Sequence, residues 1–351
     1  MTLMRKRKVA VLGATGTVGQ RFVSLLAEHP WFELAALTTS ERNAGKRYAE
    51  AVHWHLPEPI PERAREMTLV ATTDEIDAEV CFSALPHEAA SEWERALAKA
   101  GRHVFSNVKT HRMDEDVPLV IGEVNPDHLD ALRTQRARRG WSGSIVANGN
   151  CSAIGFSLAT APLHRAFGIE RAVVTTLQAL SGAGYPGVAS LDGLDNVVPF
   201  IREEEEKLVE ESCKFLGRWD GSRFQPAAFA MSASCNRVAV RDGHTEIIGL
   251  TLRGSPTVLD VVAALRRFRG RPQELGLPSA PGCPIVVRDE PDRPQPVLDR
   301  DVERGMAVSV GRVRDDPVLG ITFVALSHNV IRGAAGASVL NAELAVAENA
   351  I

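Results

Sequence analysis

Lys8-Val-Ala-Val-Leu12-Gly13-Ala-Thr15-Gly16-Thr17-Val18-Gly19 is the stretch on which the reading of the fold turns. A compact apolar strand (8–12) runs into three glycines spaced G-x-x-G-x-x-G. A helical pattern follows over 18–28, with Val18, Phe22, Leu25 and Leu26 on one face. Glycine permits the sharp strand-to-helix turn and lets a diphosphate approach the backbone, where the free N–H groups of the helix N-terminus face the anion. Placed after a first strand, the motif points to a dinucleotide site built on Gly13, Thr15, Gly16, Thr17 and Val18.

Outward from this turn, 32–37, 67–71, 80–85 and 104–106 read as further strands, and 87–100 reads as a helix between two of them. Strand–helix alternation implies a Rossmann-type, doubly wound parallel sheet covered on both faces. The second strand runs into Thr38-Thr39-Ser40-Glu41-Arg42. An NAD site usually places an acidic residue at this strand end. Hydroxyls of Thr39 and Ser40 beside Arg42 suit a 2′-phosphate instead, so NADP is the expected cofactor.

After 144–147 the texture changes. Residues 151–167 and 202–216 read as helices and 172–180 as a strand. Strands are then expected at 227–231, 237–240, 245–251, 284–287, 307–312 and 320–326, with one helix at 258–268. This is an α+β pattern with a mostly antiparallel sheet. Residues 334–349 form an Ala/Leu/Glu-rich helix expected to return to the first domain. The domains expected are 1–150, completed by 330–351, and a catalytic and dimerisation domain at 151–329.

Composition narrows the function classes. The 351 residues carry 40 Lys+Arg against 44 Asp+Glu, a net charge of −4, which argues against a general nucleic-acid or membrane-surface binder. No apolar run approaches the ~20 residues that span a bilayer. Five cysteines without a CxxC pair argue against a disulfide framework or zinc site and for a reducing, cytoplasmic setting. His53-Trp54-His55 lacks further ligands at site spacing, so no metal is assigned.

Cys151, in Asn148-Gly-Asn150-Cys151-Ser152, falls between a strand end and a helix start. The positive end of the helix dipole is expected to lower its pKa and favour thiolate. His244, after the turn at Gly243, is the candidate proton shuttle, and Arg237, expected near the start of a short strand, is a candidate carboxylate clamp. Thiolate, proton shuttle and nicotinamide together suit aldehyde oxidation through a thioester, or its reverse.

The stretch Met231-Ser-Ala-Ser-Cys235-Asn-Arg237-Val238-Ala-Val-Arg-Asp-Gly243-His244-Thr245 resembles the signature of the aspartate-β-semialdehyde dehydrogenases. Asn150-Cys151-Ser152, Gln178-Ala-Leu-Ser181-Gly-Ala-Gly184 and Ser327-His-Asn329-Val-Ile-Arg-Gly333 are similar to the same family in its archaeal/fungal branch. The resemblance implies Cys151 as nucleophile, His244 as acid/base and Gln178 as the residue that orients the thioester. It also implies that Arg237 holds the α-carboxylate and Glu204 the α-amino group, that Arg112 and Lys207 bind phosphate, and that Asn107 belongs to the substrate site. For the cofactor it implies Ser83, Ser181, Gly182 and Asn329, the last on the nicotinamide amide. The implied substrates are aspartyl phosphate, aspartate semialdehyde and phosphate, in the route to lysine, methionine, threonine and isoleucine, and the implied assembly is a homodimer or homotetramer.

Two positions depart from the family pattern. Gly149 replaces a usual proline, which implies a looser nucleophile loop. Lys109 replaces a small hydroxyl residue and adds a cation beside the phosphate site. A malonyl-CoA reductase-like acyl reductase and a non-catalytic nucleotide sensor are the competing readings.

Overall fold

The computed structural model describes residues 5–72 and 75–351. Its first sheet has six strands: β1 (Arg7–Leu12), β2 (Phe32–Thr39), β3 (Val70–Ala71), β4 (Val80–Ser83), β5 (His103–Ser106) and β6 (Ser144–Ala147). They lie in the order β3-β2-β1-β4-β5-β6, all parallel. Val9, Ala10, Val11 and Leu12 are wholly buried because helices cover both faces, which is why these strands show no polar alternation.

The second sheet has seven strands in the order β13-β14-β15-β12-β7-β11-β8. These are β7 (Ile169–Gln178), β8 (Val197–Val198), β11 (Ala230–Val238), β12 (His244–Leu252), β13 (Ile285–Val287), β14 (Val308–Asp316) and β15 (Gly320–Ser327). A separate ribbon pairs β9 (Arg218–Trp219) with β10 (Phe224–Gln225). Four of the six pairings in the seven-stranded sheet are antiparallel and two, β7–β11 and β13–β14, are parallel. Helices Cys151–Phe167, Glu204–Phe215 and Val258–Arg267 bury Phe156, Leu163, Leu208, Phe215, Val261 and Leu265 against one face. On the opposite face Val173 and Ile247 are exposed, and Thr175 and Leu177 half-exposed.

Two expected strands at 227–231 and 237–240 are one continuous β11. Its Ser232 and Ser234 point outward, so they mark the open face of a strand and not a break, and Arg237 lies next to the strand's end instead of its start.

The final helix, Gly336–Ala347, follows a π turn at Ile331–Ala335 and packs into the core of the first sheet. It is apolar nearly all round, as a helix enclosed by its neighbours must be. Its one carboxylate, Glu343, is buried and accepts from His29 Nε2 (2.7 Å) and from the Ser279 N–H (3.0 Å). Arg332 Nη2 donates to Glu123 Oε2 at 2.6 Å, and Asn341 Nδ2 donates to the Val120 carbonyl at 2.8 Å. Among the described residues no helix is long and apolar enough to cross a membrane.

Candidate active site

Helix Cys151–Phe167 begins at the cysteine because Asn150 caps it. The Asn150 Oδ1 accepts from the N–H groups of Ser152 (2.9 Å) and Ala153 (3.1 Å). The Asn150 N–H itself donates to Glu211 Oε2 at 2.5 Å. Cys151 Sγ lies 3.1 Å from Nε2 of His244, the first residue of β12. The Ala179 N–H donates to His244 Nδ1 at 3.0 Å. That bond needs a lone pair on Nδ1, so the neutral ring carries its proton on Nε2 and presents it to sulfur. Asn329 Oδ1 accepts from the Gly243 N–H (2.9 Å) and fixes the turn before the histidine.

The resting electrostatics differ from the expected thiolate. Burial pushes the Cys151 thiol up to about 12, and Glu204 adds to the rise; Arg112, Arg237 and the Ser152 N–H offset only part. The helix terminus is present, but desolvation outweighs it. His244 is driven down to about 3 by burial and by nearby Arg237 and His328. Thiol and neutral imidazole is therefore the resting pair.

A cavity of about 360 Å³ opens at Cys151 and is lined by Asn107, Lys109, Arg112 and Lys207 on one side. Thr17, Val18, Ser181, Gly182 and Asn329 line the other. Arg112 gives Nη1 to Glu211 Oε1 (2.9 Å) and Nη2 to the Asn107 carbonyl (3.0 Å). Its Nε and the Asn107 Nδ2 are buried donors without partners among the described residues, which suits an arriving anion. Lys109 and Lys207 both reach Glu203, at 2.7 and 3.3 Å. Gln178, Glu204 and Arg237 are buried and do not line this cavity. Glu204 Oε1 accepts from Asn150 Nδ2 (2.8 Å) and Gln178 Nε2 (3.1 Å), and Arg237 Nη1 donates to the Ala179 carbonyl (2.8 Å).

A second cavity, about 430 Å³, lies along the glycine turn and is lined by Gly13, Thr15, Gly16, Thr39 and Ser40. Gly13 has φ +74°, and a Cβ there would lie 2.6 Å from the Ala84 carbonyl oxygen. The first helix, Thr17–Leu26, has no side-chain cap and no acidic residue in its first turn, so its leading N–H groups are free for a diphosphate. Arg42 is exposed on the turn Glu41–Asn43 and does not line the cavity; Ser83 is buried at the end of β4. Asn43, Thr72 and Trp93 line it without having been singled out in the sequence. The same holds for Asn150 and Glu211 at the nucleophile. The signal for Asn150 is an asparagine directly before a helix, whereas nothing local marks Glu211.

Glu246, two residues after His244 on β12, is buried, and neither carboxyl oxygen is hydrogen-bonded among the described residues. Burial raises it well above the usual carboxylate range, as it raises Glu94. Burial also lowers His103, His128 and His328 to about 4. Below pH 6.5 the unfolded histidines bind protons that the folded ones refuse, so stability falls as pH drops toward 4. Above pH 4.5 the unfolded carboxyls ionise while the buried ones hold their protons, so that contribution declines as pH rises. The buried histidines should make the thermal midpoint fall as pH drops from 6.5 toward 4. Glu246→Gln removes a contribution of the opposite sign, so its midpoint should gain on wild type as pH rises above 4.5. A midpoint difference between the two that stays constant with pH, followed by scanning calorimetry, contradicts the assignment.

Two family models match the chain. One, described as the NAD binding domain of semialdehyde dehydrogenase, matches residues 8–132; the other, its dimerisation domain, matches 160–332. An aspartate-semialdehyde dehydrogenase of Methanothermobacter thermautotrophicus is 51% identical over 340 residues, 96% of this chain and 98% of that relative. The crystal structure of aspartate semialdehyde dehydrogenase with NADP from Candida albicans superposes with a TM-score of 0.91. It is 44% identical and covers 99% of this chain and 100% of its own. Aspartate semialdehyde dehydrogenase II of Vibrio cholerae, complexed with ASA, gives a TM-score of 0.77 at 28% identity, covering 98% and 99%.

Proposed function

The chain belongs to the aspartate-semialdehyde dehydrogenase family, and from that premise we propose how its own side chains carry the reaction. It interconverts L-aspartyl-β-phosphate and L-aspartate-β-semialdehyde with NADP, a step of amino-acid biosynthesis. The supporting observation is the contact of Cys151 Sγ with His244 Nε2 in a cavity that Lys109, Arg112 and Lys207 line together with Thr17 and Val18 from the end of the glycine turn.

Cys151 Sγ attacks the acyl carbon, and its proton leaves with the departing phosphate. Asn107 Nδ2, Arg112 Nε, Lys109 and Lys207 receive the phosphate charge. Arg237 and Glu204 take the α-carboxylate and α-ammonium, which requires Glu204 to share the oxygen now held by Asn150 and Gln178. Gln178 orients the thioester. His244 Nε2–H stabilises the sulfur as it ionises and donates to the oxyanion of the tetrahedral intermediate. NADP, when bound, supplies or accepts the hydride; Gly13, Thr15, Gly16, Thr39, Ser40 and Arg42 would hold its adenosine and phosphates. Thr17, Val18, Ser181, Gly182 and Asn329 would flank its nicotinamide half, while Ser83, expected in the cofactor cleft, is wholly buried and lines neither cavity. In the oxidative direction, NADP⁺ reduction should require L-aspartate-β-semialdehyde and phosphate together; in the reductive direction, oxidation of NADPH by malonyl-CoA would favour the rival reading.

Residues 1–150 with 330–351 serve as the cofactor unit and 151–329 as the catalytic and dimerisation unit. The chain oligomerises, in keeping with its dimerisation-domain match, and the form proposed is a homodimer. The outer face of the second sheet, where Val173 and Ile247 are exposed beside Thr175, is the surface it would use. Val173→Glu combined with Ile247→Lys should shift sedimentation from dimer to monomer. A dimer that survives both charges rules this face out. Five unpaired cysteines suit the cytoplasm.

A further inference from the structure

We propose that Glu211 is a positioning residue that ties anion binding at Arg112 to the setting of the nucleophile loop. The inference rests on the phosphate-site reading above. Glu211 is buried on helix Glu204–Phe215, four residues after Lys207 and seven after Glu204, on the face turned to the site. It divides its carboxylate: Oε1 takes Arg112 Nη1 at 2.9 Å and Oε2 takes the Asn150 N–H at 2.5 Å.

Asn150 is the residue through which such a tether acts. Its Oδ1 caps the first turn of the Cys151 helix, and its Nδ2 holds Glu204. One carboxylate therefore touches the anion clamp and, through a single residue, the cysteine and the ammonium site. Gly149 makes the approach possible: a Cβ there would lie 3.0 Å from Glu211 Oε2 and 2.4 Å from the Phe215 ring. The neighbouring cation, Lys214, donates to the carbonyls of Arg112, Asp114 and Val117, and so holds the clamp segment without competing for Glu211. An anion on the free Nε of Arg112 shares that guanidinium's charge. Glu211 then bears more firmly on the Asn150 N–H, so phosphate occupancy steadies the loop.

Glu211→Gln keeps one oxygen for the Asn150 N–H but turns an amide, not a charge, toward Arg112. The KM for phosphate should rise about tenfold while kcat at saturating phosphate stays within about threefold. Glu211→Ala should lose kcat as well, and its effect on phosphate KM should be non-additive with Arg112→Ala. Should Glu211→Ala not fold, Glu211→Gln alone carries the test, with NADP binding as its control for folding. A phosphate KM within twofold of wild type in a folded Glu211→Gln, or additivity in the cycle, overturns the proposal. Failure of the underlying reading is separate: wild type itself would then need no phosphate for turnover, and calorimetric titration with inorganic phosphate would still report whether Glu211→Gln weakens the clamp.

Discussion

Cys151→Ala should lose at least about 10⁴-fold in phosphate-dependent NADP⁺ reduction and retain NADP binding. The loss is that large because no other thiol can substitute. Cys235 is buried within β11, and Cys213 faces a different cavity from the one at Cys151. Alanine removes only the sulfur, leaving the Asn150 cap and the Glu211 bond to the loop in place, so folding should be spared. Residual turnover above about a hundredth of wild type would mean that hydride transfer proceeds without a covalent acyl-enzyme. Mass spectrometry of wild type quenched with substrate should find the acyl group on the peptide containing Cys151 and on none other.

His244→Gln should lower kcat by about 10²- to 10⁴-fold, the usual range for removing a positioned proton donor. Its pH signature is sharper than its size. With His244 held down to about 3 and Cys151 pushed up to about 12, neither group titrates between pH 5 and 8 in the free enzyme. The kcat/KM profile, which reports free-enzyme groups, should therefore lack an acid limb near 6.5 from the histidine. An acid limb in wild type that disappears in His244→Gln would show an imidazolium, and the Nε2–H assignment made from the Ala179 N–H would fall with it.

Features governed by adjacent residues were legible from the chain alone. The glycine turn after β1 depends on a sharp local bend and stood out in the sequence, as did a helix starting at Cys151, though not the asparagine that caps it. β11 was misread because Ser232, Ala233 and Ser234 look like a loop until a sheet with one uncovered face accounts for them. The thiol's state was misjudged for a related reason. A helix N-terminus is visible in sequence, but the desolvation that opposes it arises from packing. Gly149, expected to loosen its loop, is instead closely packed, because Phe215 and Glu211 arrive from a helix more than fifty residues away. Glu246 falls within the strand expected at 245–251, yet its lack of partners among the described residues is a property of the folded core.

The closing helix sets an order of events in synthesis. The first sheet is complete in sequence at Ala147, but the apolar surface that Gly336–Ala347 covers waits for about 190 further residues. At roughly 5–20 residues per second, a ribosome leaves that surface uncovered for about ten to forty seconds. During this interval Glu123, Val120 and His29 lack their eventual partners Arg332, Asn341 and Glu343. The cofactor lobe is thus the first part made and among the last finished. A nascent chain of this protein should be a chaperone client through its amino-terminal third, and loss of a few residues from its carboxyl end should damage nucleotide binding, at the far end of the sequence, before it damages anything nearby.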